Sequence, residues 1–117
     1  MRVLVVDDEP LLVKSLKRVL VREGHQVVTA GHGGEALEVL GATSVDIVLS
    51  DVRMPVMDGV EFAHRLSGMT QAPPVVLLTG YADMSDAELR VGDVIAVLGK
   101  PVEVETLLET LRRCCRK

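Results

Sequence analysis

The sequence predicts an α/β fold, an open, doubly wound parallel sheet in a single domain of 117 residues. Five short apolar runs are continuous rather than alternating, as is typical of strands that are buried on both faces. Amphipathic stretches with helical spacing lie between these runs. Glycine, proline and polar residues separate the elements by short connections, so strands and helices alternate and right-handed crossovers follow.

Each predicted strand is a short run of aliphatic, often β-branched residues. The first run, Val-Leu-Val-Val, contains no polar residue, which indicates burial on both faces rather than alternation between core and solvent. Similar runs recur four more times along the chain. The five predicted strands cover residues 3–6, 26–30, 46–50, 74–79 and 94–98.

The first and last predicted helices are identified by their apolar periodicity. The first covers residues 10–23, with Pro10 in a first-turn position and Gly24 after its end. Its apolar face is formed by Leu12, Leu16, Val19 and Leu20. The apolar face of the fifth and last helix is formed by Val104, Leu107, Leu108, Leu111 and Cys115.

The three middle helices are shorter. The second is predicted at residues 35–40, after a tight turn rich in glycine. The third begins at Asp58 and runs through Arg65, and the fourth begins at Ser85, because each of these starts resembles a capping box with a glutamate three residues later. The three histidines, His25, His32 and His64, are predicted to be surface or loop residues.

The composition narrows the possible functions. Aromatic residues make up 2% of the chain, so stacking of single-stranded nucleic acid bases is disfavoured. The formal net charge of −4 also opposes binding to phosphate backbones. No apolar run is long enough for a membrane helix, and acids interrupt the first run before a signal peptide could form. The two cysteines, Cys114 and Cys115, are adjacent and form no disulfide framework, so we expect a cytoplasmic location and no membrane partner.

Polar side chains follow four of the predicted strands at the point where each strand ends. Ligands of such sheets bind beyond the carboxyl ends of the strands, which meet at one edge. We therefore expect these side chains to lie close together. They are Asp7, Asp8 and Glu9 after the first strand, Asp51 after the third, Thr79 at the end of the fourth, and Lys100 after the fifth.

Three aspartates at one point repel one another unless a pKa rises or a multivalent cation is shared. Mg²⁺ is the natural cation for a carboxylate set without imidazole or thiolate, and Mn²⁺ is expected to substitute for it. Aspartates before helices also serve simply as N-caps, which is the structural alternative for any one of them. Because Lys100 lies opposite, the pocket suits a phosphoryl group, with Thr79 adding a hydroxyl and an aspartate able to form an acyl phosphate.

These segments together resemble the receiver domain of two-component response regulators, across essentially the whole chain. The matching pieces are VLVVDDEP at 3–10, GGEAL at 33–37, DIVLSDVRMPVMDG at 46–59, VVLLTGYAD at 75–83 and GKP at 99–101. The resemblance, which extends to the single-domain chemotaxis regulator, implies a flavodoxin-like (βα)5 fold with strand order 2-1-3-4-5. It also implies that residues 1–117 are one receiver domain rather than an enzyme.

The resemblance implies a role for each matching residue. Asp51 would be the phosphoacceptor, and Asp8, Asp51 and the backbone carbonyl of Arg53 would bind Mg²⁺ directly, while Asp7 would act mainly through water. Lys100 would contact the phosphoryl group, Thr79 would be the switch hydroxyl, and the bond between Lys100 and Pro101 would be cis.

The family also implies partners. The phosphoryl group would come from a phosphohistidine on a sensor histidine kinase or a phosphotransfer domain. Phosphorylation would then change the surface formed by the fourth helix, the fifth strand and the fifth helix, which would bind an output domain or docking partner. No direct nucleic-acid contact is expected, and the chain is expected to be a monomer or a phosphorylation-linked dimer. Whether it acts alone or as part of a larger protein stays open.

The chain departs from the family pattern where signals are usually transmitted. The family places an aromatic residue three positions before the lysine, and here that residue is Val97. Arg53 and Tyr81 occupy positions that vary in the family and control access of water to the acyl phosphate, so we expect an altered lifetime of the phosphorylated form.

Two other functions compete with this interpretation. An aspartate-nucleophile phosphatase would share the carboxylate, Mg²⁺ and lysine chemistry, but it needs a D-x-D arrangement after the first strand, where this chain has adjacent aspartates. A degenerate receiver used only for dimerisation would not need the whole set of Asp7, Asp8, Asp51, Thr79 and Lys100.

Overall fold

Five parallel strands form the centre of the structure. The computed structural model describes residues 1–52, 57, 59–69, 72–80 and 94–114. The strands are β1 (Arg2–Val6), β2 (Gln26–Ala30), β3 (Ile47–Asp51), β4 (Val75–Thr79) and β5 (Val94–Gly99). They pair in parallel in the order β2-β1-β3-β4-β5, which confirms the predicted fold class and strand order.

The described ranges contain four helices. These are α1 (Pro10–Arg22), α2 (Gly33–Ala42), α3 (Gly59–Ser67) and α4 (Val104–Cys114), of which α4 corresponds to the fifth predicted helix. The fourth predicted helix, which starts at Ser85, lies outside the described residues, as do Asp58 and Cys115. Gly24 follows α1 with a φ of 91°, a left-handed conformation that glycine adopts without steric cost.

Several predicted boundaries differ from the observed ones by one or two residues, among them those of β3 and α2. β3 covers Ile47–Asp51 rather than residues 46–50, and just before it the Asp46 carboxylate accepts a hydrogen bond from the backbone N–H of Arg2 at 2.7 Å. α2 begins at Gly33, two residues before the predicted start. The imidazole Nδ1 of His32 accepts the N–H of Glu35 at 3.2 Å, and this cap supports a first turn made of two glycines.

The core consists of two apolar layers, one on each face of the sheet. In one layer Leu16 and Leu20 of α1 and Leu107, Leu108 and Leu111 of α4 pack against β1, β3 and β4. In the other, Ala36 of α2 and Phe62 and Leu66 of α3 pack against the opposite face. Because both faces of the sheet are covered, the three central strands β1, β3 and β4 are mostly apolar, and the aspartates of the predicted site lie at or just beyond their carboxyl ends.

Within the described residues, none of the helices has the length and apolar character needed to cross a lipid bilayer.

Candidate functional site

Three aspartates meet at the carboxyl edge of the sheet. β1 and β3 are neighbours in the sheet, so the ends of these strands bring Asp7 and Asp8 next to Asp51. One carboxylate oxygen from each aspartate lies within 4.8 Å of the others. Asp7 and Asp51 are buried, with 3% and 7% of their surface exposed, whereas Asp8 is exposed. The cluster therefore has a closed side and an open side.

Lys100 is the cation that faces this cluster. Its ammonium Nζ lies 3.0 Å from Asp51 Oδ1 and 3.4 Å from Asp7 Oδ2. The N–H of Lys100 donates to the carbonyl of Thr79 at 2.7 Å, which holds the backbone of Lys100 next to the end of β4. The peptide bond between Lys100 and Pro101 is cis, as the resemblance implies. One ammonium group thus bridges carboxylates from two different strands.

The Asp51 carboxylate is oriented by its immediate neighbours. The N–H of Val52 donates to Asp51 Oδ1 at 2.9 Å, the same oxygen that Lys100 contacts. The same N–H also lies 3.1 Å from the carbonyl of Leu78 in β4. The position of this carboxylate is therefore set by β4 on one side and by Lys100 on the other.

Burial dominates the electrostatics of Asp7. Its loss of hydration raises its pKa, the N–H of Glu9, 2.9 Å from Asp7 Oδ1, lowers it, and the neighbouring charge of Asp51 raises it again. The charge and the hydrogen bond of Lys100 also lower the pKa of Asp7, and the net direction is upward. At neutral pH the ionised form of Asp7 is therefore held at a cost, which a bound cation would relieve.

The pKa of Lys100 is also raised. Partial burial alone would lower it, but the hydrogen bond and charge of Asp51, followed by those of Asp7, outweigh burial. The attraction between Lys100 and Asp7 thus contributes to the raised pKa of Lys100. A simple ion pair would lower the pKa of Asp7, but the net shift of Asp7 is upward. We attribute this to geometry, since Asp51 is the nearer partner of the ammonium and Asp7 is the more deeply buried carboxylate.

Of the remaining predicted site residues, Thr79 lies at the carboxyl edge of the sheet and Val97 lies against the core. Thr79 ends β4 next to Gly99 of β5, and it is partly exposed at the same edge of the sheet. Val97 pairs with Leu77 and packs against the core layer of α2 and α3. Arg53, whose backbone carbonyl the resemblance assigns to the metal site, and Tyr81, expected to control access of water, lie outside the described residues.

The donor set of the cluster fits a hard divalent cation. All three groups are carboxylates, and the exposure of Asp8 leaves a side open to water and to further oxygen ligands. Mg²⁺ keeps several water ligands and binds proteins through one or two carboxylates, so this arrangement suits it. Burial and the neighbouring charge of Asp51 both raise the pKa of Asp7, and such an ion would favour its ionised form.

Two residues near this edge, His32 and Ser50, form hydrogen bonds that the sequence did not predict. His32 was expected on the surface or in a loop, and the structure makes it the N-cap of α2. Its signal was weak, because histidine is not among the preferred capping residues. Ser50 is fully buried and donates its hydroxyl to the carbonyl of Asp51 at 3.0 Å. A serine that directly follows the aliphatic run Ile47–Leu49 was the available signal.

Several curated proteins share this sequence over most of its length. The transcriptional regulatory protein GlrR of Escherichia coli is 38% identical over 109 residues, which are 92% of this chain and 24% of GlrR. The sensor histidine kinase RcsC of Salmonella typhimurium is 40% identical over 113 residues, which are 95% of this chain and 12% of RcsC. The chain thus spans less than two thirds of the length of either relative.

Solved structures share the fold. The chemotaxis protein CheY4 of Vibrio cholerae matches with a TM-score of 0.85 and 35% identity over 97% of both chains. The response regulator protein TrrA of Thermotoga maritima, in complex with Mg²⁺ and BeF, matches with a TM-score of 0.83 and 31% identity over 97% of both chains. The family model of the response regulator receiver domain matches residues 3–112. The chain therefore belongs to the response regulator receiver domain family.

Proposed function

We propose that Asp51 accepts a phosphoryl group, in a Mg²⁺-dependent reaction, from a phosphohistidine of a sensor histidine kinase or a phosphotransfer domain. The supporting observation is the joint position of Asp51, Asp7 and Asp8, with the Lys100 ammonium 3.0 Å from the Asp51 carboxylate. A matching segment in the sensor histidine kinase RcsC supports a histidine kinase as the partner. Residues 1–117 would form one receiver domain, in the cytoplasm.

In the proposed transfer, a carboxylate oxygen of Asp51 attacks the phosphorus atom and forms the acyl phosphate bond. The bond between phosphorus and the histidine nitrogen breaks, and its electron pair leaves with the imidazole. The Val52 N–H and the Lys100 ammonium both engage Asp51 Oδ1 and fix the orientation of the carboxylate before the attack. The chain thus acts as acceptor and switch rather than as a turnover enzyme, apart from loss of its own phosphoryl group.

The metal would be held by Asp8, Asp51 and the backbone carbonyl of Arg53, with Asp7 acting mainly through water. When bound, Mg²⁺ would offset negative charge on the phosphoryl oxygens. Mn²⁺ would serve in its place. Asp7 and Asp51 are buried and Asp8 is exposed, so the carboxylates close one side of the site and leave the other to solvent.

After transfer, Lys100 would contact the phosphoryl group and Thr79 would supply the switch hydroxyl. Both residues stand at the ends of the paired strands β4 and β5, joined by the hydrogen bond from the Lys100 N–H to the Thr79 carbonyl. A movement of either residue would therefore reach β5 and the surface beside α4. That surface would bind an output domain or docking partner, or a second copy of the chain.

Acetyl phosphate with Mg²⁺ tests this function without a protein donor. We expect one acid-stable, base- and hydroxylamine-labile modification per chain, which is typical of an acyl phosphate, and none without Mg²⁺. The Asp51→Asn variant should carry none. Asp46→Asn is the matched control, because Asp46 lies at the opposite edge of the sheet and should leave labelling unchanged.

The same assay separates the competing function. Multiple turnovers of generic phosphoesters, with no stable modification of Asp51, would contradict the proposal and indicate a phosphatase. Full labelling of Asp51→Asn would also contradict it, because the acceptor would then be another residue.

A further inference from the structure

Ser50 occupies an unusual place for a hydroxyl group. It lies in β3 after Ile47, Val48 and Leu49, and none of its surface is exposed. A buried hydroxyl without a hydrogen bond is costly. Here the hydroxyl donates to the backbone carbonyl of the next residue, Asp51, at 3.0 Å. The hydrogen bond therefore contacts the main chain of the proposed acceptor.

The sheet supports the two sides of Asp51 unequally. Its β4 side is paired, with Asp51 opposite Leu78 and the Val52 N–H on the Leu78 carbonyl. On the β1 side the register ends with the pair of Val6 and Ser50, one residue before Asp51. The acceptor is thus the first residue of β3 beyond its pairing with β1. A hydrogen bond from Ser50 supplies a restraint at the place where the ladder stops.

A second close contact acts on the same carbonyl. α3 begins at Gly59, whose N–H donates to the Val52 carbonyl at 2.7 Å. A Cβ atom added at Gly59 would meet the Asp51 carbonyl oxygen far inside van der Waals contact and would also crowd Val52 Cα. The bare backbone of Gly59 therefore lies against the Asp51 carbonyl. Together, Ser50 and Gly59 restrict the movement of the Asp51 peptide group.

We propose that Ser50 is a positioning residue for phosphoryl transfer, one that holds the Asp51 main chain, and through it the carboxylate, in the orientation required for attack on phosphorus. This inference rests on the proposed function of Asp51. Ser50 does not touch the phosphoryl group, since its side chain lies in the buried layer of the sheet. Its effect is on the rate of transfer and not on binding of the metal or the donor.

Three substitutions at this position separate the hydrogen bond from packing. Ser50→Ala removes the donor, Ser50→Cys keeps a similar shape with a weak donor, and Ser50→Thr keeps the hydroxyl. For each, the maximal rate of labelling by acetyl phosphate and the half-saturating donor concentration are measured at saturating Mg²⁺. Calorimetry supplies the Kd for Mg²⁺.

We expect the maximal rate to fall about tenfold in Ser50→Ala and Ser50→Cys, because misplacement of a reacting group by a fraction of an ångström costs rate. The Kd for Mg²⁺ and the half-saturating donor concentration should stay within about twofold of the wild type, since both depend on binding rather than on alignment for attack. Ser50→Thr should recover most of the rate.

Val48→Ala is the control for a purely structural effect. Val48 lies in the same strand, two residues before Ser50 and on the same face, and is equally buried. Its truncation should lower the free energy of unfolding by more than Ser50→Ala does, with an unchanged labelling rate per folded molecule.

Wild-type rates in both Ser50→Ala and Ser50→Cys would overturn the inference. So would an equal loss of rate in Val48→Ala, or a failure of Ser50→Thr to recover rate. In each of these cases, labelling of Asp51 in the wild-type protein would still support the proposed function, and only the inference about Ser50 would fail. An unlabelled wild type would overturn both. If Ser50→Ala does not fold, Ser50→Cys decides alone.

Discussion

The edges of the sheet that are formed by the amino ends and by the carboxyl ends of the strands differ in how their charged groups are paired. At the amino edge, the Arg2 guanidinium donates to the Gln26 side chain at 3.2 Å and to the Ser44 carbonyl at 3.1 Å, and the Asp46 carboxylate accepts the Arg2 N–H. At the carboxyl edge, within the described part of the chain, three aspartates lie together and the Lys100 ammonium contacts two of them.

This difference separates a stabilising arrangement from a functional one. The amino edge pairs its charged groups with nearby polar atoms and ties β1 to its neighbours. The carboxyl edge places three carboxylates together, and burial, with the neighbouring charge of Asp51, raises the pKa of Asp7. Charge crowding of this kind lowers the stability of the metal-free protein and favours binding of a cation. We therefore expect substitutions at the two edges to change the free energy of unfolding in opposite directions.

The largest expected effect follows from removing the cation of the carboxyl edge. Lys100→Met should reduce the rate of labelling by acetyl phosphate about a hundredfold at saturating Mg²⁺, because a positive charge near the transferred group is lost. The rate is measured by acyl phosphate formation over time. Lys17→Met, at an exposed position of α1, is the control and should label at the wild-type rate. Equal rates in both variants would remove the functional distinction of this edge.

Neutralising a buried acid at the same edge should stabilise the protein. Asp7→Asn should raise the metal-free free energy of unfolding by about 1 kcal/mol at pH 7 and weaken Mg²⁺ binding. Because the folded-state pKa of Asp7 is raised above 3.8, ionised Asp7 lowers stability at neutral pH, and protonation removes that cost as the pH falls through the folded pKa. The advantage of the variant should therefore vanish in acid. Denaturant titrations at several pH values measure this difference in the free energy of unfolding. A variant that is less stable than the wild type at pH 7 would contradict the prediction.

The opposite result is expected at the amino edge. Arg2→Met should lower the free energy of unfolding by about 1 kcal/mol, since it removes the side-chain hydrogen bonds to β2 and to Ser44. Labelling of Asp51 should continue at the wild-type rate per folded molecule. A parallel loss of labelling would show that the two edges are coupled and not independent.

The smallest effect concerns the helix that begins beside the carboxyl edge. His32→Ala should cost about 0.5–1 kcal/mol of unfolding free energy, because the Glu35 N–H loses its acceptor. His32→Asn, with a preferred capping residue, should match or exceed the wild type. Thermal unfolding followed by circular dichroism compares the three proteins, and indistinguishable melting temperatures would show that the imidazole contributes no capping energy.

The sheet was predictable from the sequence because its signal is local. Each strand contains a short run of aliphatic residues, and all five were placed within one residue at either end. The start of α2 was less accessible, whereas α1 begins at Pro10 as predicted and α3 begins within one residue of the predicted start. α2 begins with Gly33 and Gly34, which have low helix propensity, and its start depends on the His32 cap and on the side chain of Met57, which packs 3.0–3.2 Å from the position of a Cβ at Gly33.

The candidate site was predictable as a set of residues but not as a geometry. Parallel strands end at a common edge, so the sequence indicated that Asp7, Asp8, Asp51 and Lys100 would be neighbours. It could not give the unequal burial of Asp7 and Asp8, because that depends on how the adjoining elements cover the edge. The proposed positioning role of Ser50 could not be predicted from the sequence either, because it depends on the pairing of β3 with β1, which ends one residue before Asp51.

A crystal structure of the protein grown with Mg²⁺ and beryllofluoride tests the central claim most directly, because beryllofluoride binds a carboxylate in place of a phosphoryl group. The account predicts a metal ion held by Asp8 and Asp51, the beryllium on the Asp51 carboxylate, and the Lys100 ammonium in contact with a fluoride. Beryllofluoride and metal bound elsewhere, or the three aspartates turned away from one another around an empty edge, would contradict it.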